Sequence, residues 1–232
     1  MTSYLHSTEA YSQSELLSDI SPEGQADIFK AGHRNSYNAG EILFHEGDQA
    51  FRCYFVQSGR IKVSILHEEG KEAILRYVLP GEFMAAIAVF RGKTYPATAS
   101  AVGPVSAISW DRTTMITLMH LYPPLAVNML RVVVDRLDEV QKRYLELSAE
   151  QVAQRIARAL LRMMKTSGRK TDEGIVIDFR LSRQDLADYT GTTLFSVSRV
   201  LSKWEKMGHI KSGRERIVIT DAHALVAVTE NS

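Results

Sequence analysis

A chain of 232 residues with 45% hydrophobic side chains is long enough for one large or two modest domains, each with an ordinary core. One cysteine, Cys53, excludes an intrachain disulfide framework and any iron–sulfur cluster held by cysteines of a single subunit. The net charge of +1 hides an asymmetry: residues 1–148 carry 14 Lys and Arg against 17 Asp and Glu, and residues 149–232 carry 14 against 10, so the halves stand at −3 and +4. A basic second half suits a phosphate-bearing partner. Residues 1–17 show no basic segment followed by an apolar run, and no later stretch reaches membrane-span length, so a soluble cytoplasmic chain is expected.

In chain order, 21–31 reads as a short helix with Ser21 as N-cap and Pro22 at its first position. From Gly40 the pattern changes to short runs rich in β-branched and aromatic residues, at 41–44, 53–56, 60–65, 73–78, 98–102 and 105–110. Turn signals separate them, among them Ser58-Gly59, Glu69-Gly70, Pro80-Gly81 and Gly103-Pro104. Many short strands at close, regular spacing predict an antiparallel barrel or roll. Asp111 then caps a helix over 112–121.

The segment 124–148 reads as one long helix entered at Pro123 and Pro124. Leu130, Leu137 and Tyr144 fall seven apart, and Val133, Val140 and Leu147 do the same, giving a narrow apolar seam amid charged residues such as Asp135, Arg136 and Glu139. Such a seam wants a partner helix, so these six residues are the candidate homodimer contact. Ser148-x-x-Gln151 has capping-box spacing and predicts a break, read as a hinge, near 147–151. A helix carrying Val152, Ile156, Ala159, Leu160 and Met163 follows, then a polar loop at 166–174 and a strand at 175–180.

Ser182-x-x-Asp185 caps the next helix, in which Ala187 precedes Gly191 by four residues and Val197 follows six later. A helix-turn-helix needs a small residue at the helix crossing, a turn glycine and a branched anchor in its second helix. In that second helix, 193–207, Val197, Val200, Leu201 and Trp204 share the core face, while Phe195, Ser198, Arg199 and Ser202 share another, suited to a major groove. Arg199, with Ser198 and Phe195, is the candidate base-reading group, because a guanidinium can pair with guanine O6 and N7. Ser182, Arg183, Gln184, Ser196, Lys203 and Arg214 are the candidate phosphate contacts. The runs at 210–212 and 216–220 flank a Gly213-Arg214 turn and read as a wing, with Lys211 and Arg216 beside it.

On these residues the chain resembles the Crp/Fnr family of bacterial transcription regulators across about residues 28–220. The motifs that carry the resemblance are Ala39-Gly40-Glu41-Ile42-Leu43-Phe44-His45-Glu46-Gly47-Asp48, Val56-Gln57-Ser58-Gly59-Arg60-Ile61-Lys62-Val63, Pro80-Gly81-Glu82-Phe83, Leu181-Ser182-Arg183-Gln184-Asp185-Leu186-Ala187 and Ser196-Val197-Ser198-Arg199-Val200-Leu201. The resemblance implies an α+β chain in three parts: a cyclic-nucleotide-binding-type β-roll at 1–122, a dimerisation helix and hinge at 123–150, and a winged helix-turn-helix at 151–232. It further implies a homodimer that binds palindromic DNA, works with RNA polymerase as an activator, and senses a small molecule in the roll.

Departures from the family pattern narrow that molecule. Cyclic-AMP-binding members look like a Gly-Glu pair followed by an Arg-Ser pair, where this chain has Ala85-Ala86 and Pro96-Ala97. The expected effector pocket is therefore Gly81, Glu82, Phe83, Ala85, Ala86, Pro96 and Ala97, but a buried phosphodiester lacking a cation loses its solvation uncompensated, so cyclic AMP is not expected in the usual pose. Arg91 and Lys93 lie close enough in sequence to substitute. What remains resembles nitric-oxide-responsive denitrification regulators, some of which use haem, through Thr94-Tyr95-Pro96-Ala97-Thr98-Ala99 and Thr192-Thr193-Leu194-Phe195. Haem is then one candidate sensing group, with His33, His45, His67, His120, Cys53, Met84 and Tyr95 as the available ligands and no spacing that singles one out. Many members carry Glu where this chain has Phe195, and Phe cannot accept from a cytosine amino group but can pack on a thymine methyl. The rival readings are an enzyme, for which no nucleophile–base–orienter set or phosphate-cradling loop is found, and a sensor or scaffold module without specific DNA binding.

Overall fold

The computed structural model describes residues 14–68 and 70–230. The absence of a leader is thus an expectation whose first 13 residues lie outside the described ones, as does Glu69 of the Glu69-Gly70 turn. The chain divides into two compact units, one reaching to Ile65 and resuming over Leu75–Glu139, the other formed by Leu66–Ile74 and everything from Val140. The long helix, Pro123–Ala149 against the expected 123–150, is shared between them.

In the first unit, α1 (Pro22–Lys30) starts where the Ser21 hydroxyl accepts from Gly24 N–H, with Pro22 in the first turn. Then come β1 (His33–Tyr37), β2 (Ile42–Phe44), β3 (Arg52–Ser58), β4 (Ile61–Leu66), β5 (Glu72–Val78), β6 (Phe83–Met84), α2 (Ala86–Arg91), β7 (Thr98–Ala101), β8 (Val105–Asp111), α3 (Arg112–Leu121) and α4 (Pro123–Ala149). The strands form two four-stranded sheets, β1-β8-β3-β6 and β2-β7-β4-β5. Cys53, Tyr54, Phe55 and Val56 of β3 are all buried, as a strand covered on both faces requires. Phe55 meets Phe29 of α1 at 5.4 Å between ring centroids, and Trp110 of β8 donates its indole N–H to Ile28 O at 2.9 Å, so α1 is fastened to the first sheet. Gly59 makes the β3–β4 turn at φ +82°, and a Cβ there would lie 2.2 Å from Pro104 O, a position open only to glycine.

Two elements of this unit lack a sequence signal. Strand β1 (His-Arg-Asn-Ser-Tyr) has no apolar alternation; it is a sheet edge whose backbone pairs with β8 and whose side chains are mostly exposed. Helix α2 is six residues long and begins after Ala85, a non-glycine residue held at φ +67°.

The second unit contains the end of α4, then α5 (Val152–Ser167), β9 (Gly168–Thr171), β10 (Gly174–Ile177), α6 (Arg183–Thr190), α7 (Leu194–Lys206), β11 (Ile210–Gly213), β12 (Arg216–Ile219) and α8 (Ala222–Glu230). Its sheet runs β11-β12-β10-β9. Ile156 and Leu160 of α5, Leu186 and Ala187 of α6, and Val197 and Leu201 of α7 are fully buried and form its core together with Trp204 and Leu225. The segment 166–174, expected as a loop, contains β9, an exposed edge strand that pairs only with β10. Helix α8 was not expected, although Asp221 before it accepts from Ala224 N–H at 3.0 Å and is a legible cap; its apolar residues follow no long helical period.

The break after α4 falls where expected, but its cap does not. Ser148 is still helical and its hydroxyl donates back to Tyr144 O at 2.8 Å. The capping box is formed by Gln151 and Gln154 instead, with Gln151 N–H donating to Gln154 Oε1 at 2.7 Å. The break is also cross-tied: Glu146 pairs with Arg162 and Glu150 with Arg158, both arginines coming from α5. The expected hinge segment 147–151 thus carries one ion pair to α5 at Glu150 and has the other just before it at Glu146.

Candidate nucleic-acid interface and effector cavity

The helix-turn-helix is built as its spacing predicts. Ser182 caps α6, its Oγ accepting from Asp185 N–H at 2.9 Å while Asp185 Oδ2 accepts from Ser182 N–H at 3.0 Å. Gly191 closes α6 at φ +61°, and a Cβ there would lie 2.9 Å from Leu147 Cδ2. Thr193 caps α7 by accepting from Ser196 N–H. With Val197, Leu201 and Trp204 buried, α7 turns its opposite face outward: Phe195 is 75% exposed, Arg199 and Lys203 are exposed, and Ser196, Ser198 and Ser202 are half-buried. Among the described residues neither Arg199 nor Lys203 has an ion-pair or hydrogen-bond partner. An exposed guanidinium and ammonium held on a rigid helix are available to an external anion.

The phosphate candidates divide. Arg214 stands exposed at the wing tip, where Gly213 pairs with Arg216 and leaves a two-residue Arg214-Glu215 turn, Glu215 taking φ +55°. The expected Gly213-Arg214 turn is therefore displaced by one residue. Arg183 is committed internally, donating to Ser212 Oγ at 3.1 Å beside Glu205, and Gln184 donates to Asp188. Lys211 and Arg216 both pair with Glu173, whose carboxyl these two hydrogen bonds hold below the usual range. These groups brace the wing against α7 and β10. At the other end of α6, Arg143 lies over the Tyr189 ring at 4.1 Å and Arg155 Nε donates to Thr190 O at 3.0 Å. Cations at a helix C-terminus are favourably placed.

In the first unit, a cavity of about 170 Å³ opens beside α2 and the first half of α4. Of the expected pocket, Phe83, Ala85, Ala86 and Pro96 line it. Gly81 and Glu82 line a neighbouring space of about 400 Å³ that Phe83 shares. Ala97 lines neither and is buried in the roll. Arg91 and Lys93 are exposed and stand away from the lining, whereas two other arginines belong to it. Arg76 of β5 and Arg136 of α4 both reach the cavity. Arg76 donates to Glu82 Oε2 and, through its other terminal nitrogen, to Phe83 O, each at 3.3 Å. Arg136 lies 3.8 Å from the same Glu82 oxygen and pairs with Glu139. Burial, then the neighbouring Arg136, pushes the Arg76 guanidinium down to about 10, so it stays charged at neutral pH.

A cyclic nucleotide-binding domain model matches residues 34–122, and a Crp-like helix-turn-helix domain model matches residues 154–228. The chain belongs to the Crp/Fnr family of transcription regulators. It is 28% identical to the transcriptional activator protein FnrA of Stutzerimonas stutzeri over 205 residues, 87% of this chain and 82% of that one. It is 26% identical to the cyclic AMP receptor protein of Thermus thermophilus over 212 residues, 91% of this chain and 95% of that one. Among solved structures, a CRP-family transcriptional regulator from Thermus thermophilus superposes with a TM-score of 0.73 at 26% identity, covering 85% of this chain and 97% of that one. Crp/Fnr proteins are non-enzymatic regulators, and no helix among the described residues is long and apolar enough to cross a membrane.

The candidate haem ligands are not brought together at the cavity. Of the seven candidate iron ligands only Met84 lines it. The Cys53 thiol donates to Trp110 O at 3.4 Å and the Tyr95 hydroxyl to Arg52 O at 2.7 Å, both inside the roll. Sequence reasoning missed Arg76 and Arg136 because each looks like an ordinary solvated residue of a strand and a helix. The one available signal was the position of Arg136 three residues after Val133 on the same helix.

The apolar seam also needs one correction. Leu130, Leu137, Val140, Tyr144 and Leu147 are exposed, as an unpaired contact surface would be. Val133 is not; it is half-buried and lines the cavity, and the exposed position is Val134, with Val127 one heptad before it. The stripe thus runs 127, 130, 134, 137, 140, 144 and 147, alternating three- and four-residue steps except for two successive three-residue steps over 134–140, with Leu145 also exposed beside it.

Proposed function

We propose that this Crp/Fnr regulator is a homodimer that reads a palindromic operator through two copies of α7, works with RNA polymerase as an activator, and is switched by a small effector in the α2–α4 cavity. The observation that carries the DNA reading is the unpartnered Arg199 beside exposed Phe195 on α7, opposite the buried Val197–Leu201 face. Arg199 reads guanine, and Phe195 packs on a thymine methyl where a hydrogen-bonding residue would select cytosine. Lys203 and Arg214 hold phosphates and set register without adding sequence information. The exposed stripe of α4 supplies the two-fold axis, which places the recognition helices about one helical turn of DNA apart. Control follows as a population shift, because α4 carries both the cavity wall and the dimer stripe.

Selection from a random-sequence duplex pool tests this. The wild-type chain should enrich a palindrome with half-sites about one turn apart, and Arg199→Ala should lose roughly 1–3 kcal/mol per half-site, relaxing the guanine position. Phe195→Glu should change the base chosen next to it. Absence of enrichment, or an Arg199→Ala chain that selects the same sequence, overturns the reading and favours a sensor without specific DNA binding.

A further inference from the structure

We propose that Arg76 and Arg136 form an anion-recognising site for a small organic acid, whose carboxylate they bind and whose apolar body fills the cavity beside α2. This rests on the effector reading for its regulatory meaning, whereas binding itself requires no DNA. The cavity wall is apolar, with Met84, Ile87, Met129 and Val132 among its residues, and no hydroxyl or amide side chain lines it. A sugar or a base edge would find only guanidinium donors there and no side-chain acceptor, so its own donors would go unpaired. At about 170 Å³ the space is close to the roughly 150 Å³ in which a benzene ring is accommodated.

At the polar end Arg76 is the loosely held cation, its contacts with Glu82 and Phe83 O both at 3.3 Å. Arg76 is only 14% exposed, and its one carboxylate partner is Glu82. A single Glu82 oxygen receives Arg76 at 3.3 Å, Arg136 at 3.8 Å and the Leu79 N–H at 3.4 Å. Charge-assisted bonds settle nearer 2.7–2.9 Å, so none of these donors is held closely by Glu82, and Arg136 is held by Glu139 instead. Glu139 completes the set of charged groups facing the arginines, paired with Arg136. The two carboxylates are the mobile members, since Glu82 and Glu139 are 35% and 37% exposed and can turn to water. The buried guanidinium of Arg76 cannot. An incoming carboxylate therefore takes both arginines in a fork geometry while Glu82 or Glu139 resolvates. Because Arg136 and Glu139 lie one turn apart on α4, that exchange acts on the helix that carries the dimer stripe.

The test is calorimetric titration of the full chain, in low-salt buffer, with benzoate, phenylacetate and hexanoate. Benzyl alcohol serves as the neutral isostere and inorganic phosphate as the anion without an apolar body. At least one acid should bind saturably, with benzyl alcohol and phosphate tenfold or more weaker. Arg136→Gln and Arg76→Gln should each weaken the acid at least tenfold. Should Arg76→Gln fail to fold, Arg136→Gln and the wild-type comparison of acid with alcohol still decide. No saturable binding of any acid, alcohol or phosphate binding as tight as the acid's, or undiminished affinity in Arg136→Gln overturns the site. Acid binding that leaves operator affinity unchanged supports the site and overturns only its regulatory meaning.

Discussion

Replacing Leu137 with Asp tests the two-fold stripe on α4 directly. Leu137 is 56% exposed, so a little over half of its surface remains to be buried by a partner. Full burial of a leucine side chain contributes about 1.5–3 kcal/mol, which scales to about 1–1.5 kcal/mol for the exposed part. An isologous interface uses the residue twice, so truncation alone removes about 2–3 kcal/mol, and two opposed carboxylates only add to the loss. The dimer dissociation constant should rise by at least about 30- to 150-fold. Because the side chain is exposed in the protomer, the fold should keep its stability to within about 0.5 kcal/mol. Sedimentation equilibrium over a range of concentrations reads the first quantity, and circular dichroism through a urea titration reads the second. A dissociation constant within threefold of the wild-type value, with the fold intact, would remove α4 from the dimer contact.

Two further outcomes follow from the first unit. Ala85 sits at φ +67°, a conformation that costs an L-residue roughly 1–2 kcal/mol and glycine nothing beyond its chain entropy of roughly 0.5–1 kcal/mol. Ala85→Gly should therefore raise the urea midpoint by a stabilisation of about 0.5 kcal/mol, and a lowered midpoint would show that the Ala85 methyl contributes more by packing. Burial pushes the Cys53 thiol up to about 12 from an ordinary value of 9.0, so the folded chain holds it neutral. That contribution to stability is complete below pH 9 and is lost as pH climbs toward 12. At about pH 8, below the ordinary thiol range, Cys53 should resist a disulfide reagent until the chain is unfolded, and rapid labelling of the native protein would contradict its placement in the core.

The strands with an inward apolar face and the capped helices were legible because their signals are local. Ser21, Asp111 and Ser182 each cap the helix assigned to them, since a short hydroxyl or carboxylate three residues before an amide needs no tertiary context. Ser148 misled for the same reason: it has the same spacing, but α4 continues through it, stabilised by ion pairs from Glu146 and Glu150 that a local pattern cannot register. Val133 misled because a heptad admits two neighbouring registers at Leu130, one continuing to residue 133 and the other to 134. The cavity settles which of the two is covered. Arg183 was legible as a cation beside the recognition helix, yet its partners Ser212 and Glu205 come from 29 and 22 residues away and turn it into a brace. Arg76 and Arg136 were invisible singly; only the fold brings β5 and α4 to one cavity.

Helix α4 shows why these two arginines matter more than their number suggests. Val133 and Arg136 face the cavity, whereas Leu130, Val134 and Leu137 on the same turns are exposed, so one rigid element presents an effector wall and a partner surface less than a helix diameter apart. A ligand shifts an equilibrium only by its differential affinity for the two states, so a molecule resting against the apolar wall in both would change nothing however tightly it bound. The ion pair between Arg136 and Glu139 offers such a difference. It is intact in this structure, and a competing carboxylate would break it one residue from Leu137 and one before Val140, where the second unit begins. Control of DNA affinity should accordingly follow the charge of the effector rather than its bulk, because only the charge distinguishes a paired Arg136 from a liberated Glu139.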